Sequence, residues 1–244
     1  MLSLGKEENI VHTKRYSICG LEMDHVFEEK DLGVVIDSGM TFDDHILTKV
    51  QKANVMVGLI RRTFSYLDQQ TFLKLYTAFV RPHLEYAVSV WSPHLKKHID
   101  AIENMQIRAT KLVDGFGNLT YQERLEKLQL PTLVYRRLRG DAIEMYKHFH
   151  RYDKKVLPPS FIPKLRPSRQ HQFQIQELNK KDGERGIESN FLYHRIARTW
   201  NELPPDVVQA ENINTFKNRF DAHMKNDPIK FNHRTQANDV DDEE

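Results

Sequence analysis

The chain has 244 residues, 39% of them hydrophobic and 29% charged, which suits one large globular domain or two small ones and excludes a collagen-like or low-complexity chain. A single cysteine, Cys19, excludes an intrachain disulfide framework and any zinc module that needs two cysteine ligands from this chain. There is no apolar run of about 18 residues and the start of the chain is mixed charged and polar, so neither a membrane span nor a signal peptide is expected. The expected setting is intracellular and reducing, with nucleus and cytoplasm left open.

The net charge of +2 hides a segregation. Residues 1–50 hold 5 Lys/Arg against 10 Asp/Glu, residues 51–150 hold 15 against 9, residues 151–200 hold 11 against 5, and the last 44 hold 5 against 10. A basic middle between acidic ends is the footprint expected where one region meets a polyanion. The same charges also suit the solvated faces of helices.

In chain order, residues 1–40 read as short strands. Tyr16-Ser17-Ile18 and Val26-Phe27 flank Gly20, and the apolar run Leu32-Gly33-Val34-Val35-Ile36 ends at Asp37-Ser38-Gly39. A hairpin plus a third strand buries too little to stand alone, so it must pack on the helices after it. From residue 41 to 150 the period is helical. Asp43 or Asp44 is a candidate cap for a helix with Ile46, Val50, Ala53, Val57 and Ile60 inward and Lys49, Lys52, Arg61 and Arg62 on the other face. Asp68 caps a second helix, with Phe72, Leu75, Tyr76, Phe79 and Val80 inward, until Pro82 breaks or kinks it. Ser92-Pro93 starts a third, carrying Leu95, Ile99, Ile102, Gln106, Ala109 and Leu112, stopped by Gly115 and Gly117.

Thr120-Tyr121-Gln122-Glu123 matches a capping box, opening a short helix to Gln129. Pro131-Thr132 opens another to His150, with Arg136, Arg137 and Arg139 near its N-terminal half, where they oppose the helix dipole and call for an acidic partner, internal or external. Residues 151–190 read as a basic linker in which Pro158, Pro159, Pro163 and Pro167 interleave with lysines and arginines, with a possible strand at His171–Leu178 and a turn at Lys180–Gly183. Residues 191–225 hold two helices, the first capped by Asn190 and ended by Leu203-Pro204-Pro205, the second carrying Phe216, Phe220 and Met224. Residues 226–244 read as a disordered acidic tail. The fold class is mainly α: N-terminal strands, a helical bundle, a basic linker and a small C-terminal helical segment.

Catalytic patterns are absent. No GxxxxGK[ST], GxGxxG or GxSxG occurs. His94 and His98 have helix spacing for a metal pair without further ligands in view, so no metal or cofactor is expected. Asp43-Asp44 reads most simply as a helix cap, and Cys19 as a small buried hydrophobe. Trp91 and Trp200 read as core anchors or as stacking platforms for bases.

Several strings, in order, resemble the non-LTR (LINE-type, jockey-like) retrotransposon reverse transcriptases. They are Glu29-Lys30-Asp31-Leu32-Gly33-Val34 with Lys52-Ala53-Asn54, and Val80-Arg81-Pro82-His83-Leu84-Glu85-Tyr86-Ala87 with Val90-Trp91-Ser92-Pro93. Gln106–Leu112, Leu130-Pro131-Thr132-Leu133 with Arg136-Arg137, Arg139-Gly140-Asp141, and Trp200-Asn201-Glu202-Leu203-Pro204 with Phe216-Lys217 complete the set. The resemblance implies the C-terminal part of such an enzyme: the end of the palm, the thumb and the region beyond. Leu32, Gly33 and Val34 then match a strand that helps grip the primer.

Under that resemblance the catalytic Tyr/Phe-Ala-Asp-Asp motif falls before residue 1, so this chain by itself is expected not to polymerise, although the family activity is RNA-directed DNA polymerase. The expected role is sequence-independent binding of an RNA/DNA template–primer duplex. The candidate contacts are Lys49, Lys52, Arg61, Arg62, Arg108, Lys111, Arg136, Arg137 and Arg139. The alternative is a helical protein-interaction module that binds a partner through the face left by the missing palm.

Overall fold

The computed structural model describes Leu2 and residues 16–150, 171–177 and 187–234. The first elements are two hairpins. Ser17–Ile18 (β1) and Leu21–Glu22 (β2) pair antiparallel around Cys19-Gly20, with φ of 51° and 82°. Glu28–Asp31 (β3) and Val34–Asp37 (β4) pair in the register Asp31 to Val34, around Leu32-Gly33 at φ of 43° and 85°. Two positive φ values in a two-residue turn match the right-handed twist of the strands. Two expectations are corrected here. Leu32-Gly33 is the turn and the strand begins at Val34, and Cys19 is exposed because it forms the corner of the first turn.

Asp43–Thr63 (α1) carries acids in its first turn and Arg61 and Arg62 in its last, both favourable to the helix dipole. Its cap is neither aspartate. Phe42 occupies that position at φ 58°, and Asp37 closes the approach by accepting the Thr41 N–H (3.0 Å) and the Phe42 N–H (2.6 Å). Ile46, Ala53, Val57 and Ile60 are buried as the periodicity requires.

Gln69–Leu75 (α2) is capped by the Asp68 carboxylate, which accepts from Gln70 and Thr71 N–H. Pro82 does not break the helical path. The chain widens into a π turn at Tyr76–Val80, in which Arg81 N–H reaches the Tyr76 carbonyl, and helix resumes as Arg81–Glu85 (α3) with Pro82 in its first turn. A missing N–H and a ring that clashes with the preceding turn are accommodated by this wider winding. The extra residue rotates Phe79 out to 54% exposure, whereas Phe72, Tyr76, Val80 and Leu84 stay inside.

Val88–Trp91 (α4) follows a corner at Ala87, φ 54°. Lys96–Thr110 (α5) starts after Leu95 rather than at Ser92-Pro93. Tyr121–Leu128 (α6) has the full reciprocal capping box of Thr120 and Glu123. Leu133–His150 (α7) takes its first N–H group into the buried Glu103 carboxylate (3.1 Å), while Tyr135 N–H donates to Thr132 Oγ1 (3.0 Å).

The C-terminal helices are Leu192–Glu202 (α8), Pro205–Val208 (α9) and Ile213–His223 (α10). Phe191, not Asn190, takes the cap position of α8; Asn190 ends a 3-10 turn, and its carbonyl accepts from Arg195. Residues 171–177 form no regular strand: Ile175 is buried and its N–H and carbonyl are bonded by the Asn201 amide (2.9 and 3.0 Å). The expected linker at 151–170 and turn at 180–183 lie outside the described residues.

Order also continues past Asn226. Asp227 caps a 3-10 turn at Pro228–Lys230, Ile229 is buried, and the Ile229 and Lys230 carbonyls accept from Thr132 at the start of α7. Residues 235–244 lie outside the described residues. Two apolar clusters result. One joins Val34 and α1 through α6, with Trp91 and Met105 at its centre. The other gathers α7 to α10, Ile175 and Ile229 around Trp200, Phe216 and Phe220. The two tryptophans are thus core anchors, each donating its indole N–H to a carbonyl, Trp91 to Tyr86 and Trp200 to Phe173.

Candidate nucleic-acid interface

The β3–β4 turn is mounted on α1 and α3. Tyr86 OH donates to the Leu32 carbonyl (2.9 Å), and Lys49 Nζ lies 3.5 Å from the Gly33 carbonyl and over the Tyr86 ring. At 83% exposure, Leu32 stands clear of the protein. Beneath it, His45 is buried against Trp91, its Nδ1 accepting Val35 N–H (3.1 Å). Burial first, then the charges of Lys49 and Lys52, push the His45 pKa down to about 4. Burial and then the same two lysines lower His83, and burial followed by Lys52 and Lys30 lowers Lys49. These shifts mark one positive neighbourhood: Lys30, Lys49 and Lys52 around the hairpin, with His83 beside them.

The other end of α1 is also basic. Helices α1 and α5 pack side by side and run the same way, because their starts and their ends are tied separately. At the starts, Asp43 accepts from Lys97 Nζ (2.7 Å) and meets His98 Nε2 (2.6 Å). At the ends, Asp114 N–H donates to the Leu67 carbonyl (3.0 Å), and the Asp114 carboxylate accepts Leu67 N–H. Arg61 and Arg62 are therefore brought to the same end of the bundle as Arg108 and Lys111. All four are exposed and none has a carboxylate partner among the described residues; Arg108 touches only the Met105 sulfur. Lys52 is likewise exposed, with no carboxylate partner among the described residues.

The α7 arginines are placed differently. Arg136 binds both Glu85 oxygens and Arg139 both Asp221 oxygens, the latter at 2.6 and 2.7 Å. Arg137 is buried, with one terminal nitrogen lacking a partner; burial lowers its pKa, opposed by the nearby carboxylates Glu103 and Asp141. The acidic partners that the dipole argument called for come from the protein itself. Of the nine candidate cations, Lys52, Arg61, Arg62, Arg108 and Lys111 are exposed with no carboxylate partner among the described residues, Lys49 is held at the hairpin, and the three of α7 are committed internally.

His94 and His98 do not form a metal pair: His98 is buried on Asp43 and His94 is exposed, and no cluster of metal-ligating side chains occurs among the described residues. Sequence reasoning missed two buried polar assemblies. Tyr76 OH donates to Gln106 (2.6 Å), and Gln106 donates in turn to Tyr121 OH and the Pro131 carbonyl (both 3.0 Å). Arg195 forms a bidentate pair with Asp141 (2.7 and 2.8 Å) and also reaches the Ser89 carbonyl, joining α8, α7 and α4. An aspartate beside glycine inside an arginine-rich helix was the one available signal for the second.

No family model matches the chain, and no solved structure matches it. The chain is similar to the RNA-directed DNA polymerase from mobile element jockey of Drosophila funebris, at 28% identity over 61% of this chain and 17% of that protein. It is also similar to an uncharacterized protein of Caenorhabditis elegans, at 22% identity over 56% of this chain and 76% of that protein. The chain is thus a distant partial relative of a retrotransposon reverse transcriptase and spans about a sixth of that polymerase's length.

Proposed function

We propose that this chain is a non-catalytic reverse-transcriptase fragment, resembling the thumb and C-terminal region, that binds a template–primer duplex without regard to sequence. The observation that carries the reading is the set of exposed cations without a carboxylate partner among the described residues, Lys52, Arg61 and Arg62 on α1 and Arg108 and Lys111 at the joined end of α5. From Lys52 to Arg62 the helix rises about 15 Å, roughly four phosphate spacings along one strand. Side chains that reach phosphates and not base edges fix position and confer no sequence preference. A relation to reverse transcriptases is supported by the similarity to the jockey polymerase, which covers 61% of this chain.

The test is fluorescence anisotropy with a labelled RNA–DNA primer–template at several salt concentrations. Five phosphate contacts give a slope of log K against log salt near −4 to −5 for a duplex. Absence of binding at about 50 mM salt overturns the reading, because electrostatic contacts are strongest there. Metal-dependent nucleotide incorporation by the isolated chain overturns the non-catalytic part.

One observation favours a protein partner as a second reading. Val55, Leu59 and Phe79 are exposed large apolar side chains, and Thr48, Lys52, Val55, Met56 and His83 line an apolar groove between α1 and α3. Self-association that survives high salt supports this reading over the first.

A further inference from the structure

We infer that the basic surface at the joined ends of α1, α5 and α6 is a docking site for the chain's own acidic run, Asp239, Asp241, Asp242, Glu243 and Glu244. The path of the chain points there. After Ile229 is buried, Phe231 and Asn232 N–H groups bond the Pro228 carbonyl, and His233 sets its ring edge-on to Tyr121 at 5.7 Å. Arg234, where the described residues end, lies in the wall of a cleft shared with Ile107, Lys111, Tyr121 and Arg124. The chain is thus delivered beside Lys111, one turn of helix from Arg108.

Charge complementarity supplies the second argument. Arg61, Arg62, Arg108 and Lys111 have no carboxylate partner among the described residues. Of the acids at this end, Asp68 accepts backbone N–H groups from Gln70 and Thr71, Asp114 from Leu67 and Glu123 from Thr120, and Glu126 accepts from the Gln122 amide. Lys127, over the Phe116 ring, adds a further positive charge at the edge. Asp239 follows Arg234 by five residues, a reach of at most about 18 Å, and the run to Glu244 extends it to about 35 Å. A tether this short gives an effective concentration in the millimolar range, so even weak ion pairing keeps the site filled at low salt.

The docked run covers Arg108 and Lys111, two of the free cations assigned above to duplex binding. Its consequence for nucleic acid rests on that reading; the docking does not. A polyanion then has to displace the acids, which lowers its apparent affinity.

The experiment uses the full chain with Cys19→Ser and Val240→Cys, carrying a nitroxide spin label at 240, and follows paramagnetic broadening of backbone amides. At about 50 mM salt, broadening is expected at residues 108–113 and 118–122, and it is expected to vanish at about 0.5 M salt, where screening is short-ranged. It is also expected to vanish when Asp239, Asp241 and Asp242 are changed to Asn and Glu243 and Glu244 to Gln. Sharp amides at low salt overturn the docking, as does broadening that persists in the neutralised chain. In parallel, the neutralised chain is expected to bind the RNA–DNA duplex roughly tenfold more tightly at low salt. Broadening without duplex binding by either chain leaves the docking standing and removes the nucleic-acid reading. Equal duplex binding with sharp amides does the reverse.

Discussion

Helices α1 and α7 carry similar clusters of arginine, at opposite ends. In α1, Arg61 and Arg62 lie in the last turn, where the dipole favours positive charge, and they stand in solvent with no carboxylate partner among the described residues. In α7, Arg136, Arg137 and Arg139 lie in the first two turns, where the dipole disfavours them; two are clamped by Glu85 and Asp221 and the third is buried. The same residue type is thus a surface charge in one helix and an internal connector in the other. The position of a cation relative to its helix ends was the readable clue to which it is.

The contrast can be broken most forcefully at the junction that α7 makes with α8. Asp141→Ala leaves the Arg195 guanidinium, mostly buried, without its counter-charge, and removing one partner of a buried pair costs about 3–5 kcal/mol. A urea titration of the variant is expected to show that loss, whereas Arg61→Ala and Arg62→Ala, on exposed positions, are expected to stay within about 0.5 kcal/mol.

A second prediction concerns acid. His45 titrates near 4 in the folded chain and at 6.5 when unfolded, so the unfolded chain takes up the proton first as pH falls. The stability it confers is full above about pH 6.5 and is lost toward pH 4, amounting to about 3 kcal/mol for this group. Denaturation midpoints measured between pH 7 and 4 check the slope, and His45→Gln is expected to flatten it. The site at stake is the mount of the β3–β4 hairpin, since His45 holds the Val35 N–H.

A smaller effect sharpens the comparison inside α7. Arg139 and Asp221 are partly solvated, so Arg139→Ala is expected to lower stability by only about 1 kcal/mol or less. It is also expected to leave the affinity for duplex unchanged, which anisotropy at fixed salt reads directly.

Helices with strong local signals were legible from the residues alone. The Asp68 cap, the Thr120–Glu123 capping box and the inward stripes of α1 and α10 are properties of neighbouring residues, and the structure reproduces them. Misreadings arose where a closing turn, a change of helical winding or a distant contact decides. Phe42 starts α1 because Asp37 closes the preceding turn, and Phe79 faces outward because the π turn before Pro82 adds a residue to the winding. Residues 227–234 are held in place because Ile229 is buried and Thr132 takes two of their carbonyls, a contact across 97 residues of sequence that their own polar stretch does not announce. The free cations at the joined ends of α1 and α5 were visible as residues, but their meeting depends on the Leu67–Asp114 tie.

The most direct measurement is the salt dependence of duplex binding in two variants of the full chain, one with Arg62→Ala and Lys111→Ala, the other with Arg136→Ala and Arg139→Ala. If the unpaired cations carry the affinity, the first variant loses about two from the magnitude of the log–log slope and the second keeps the slope of the parent chain. An unchanged slope in the first variant, with a reduced slope in the second, would contradict the account.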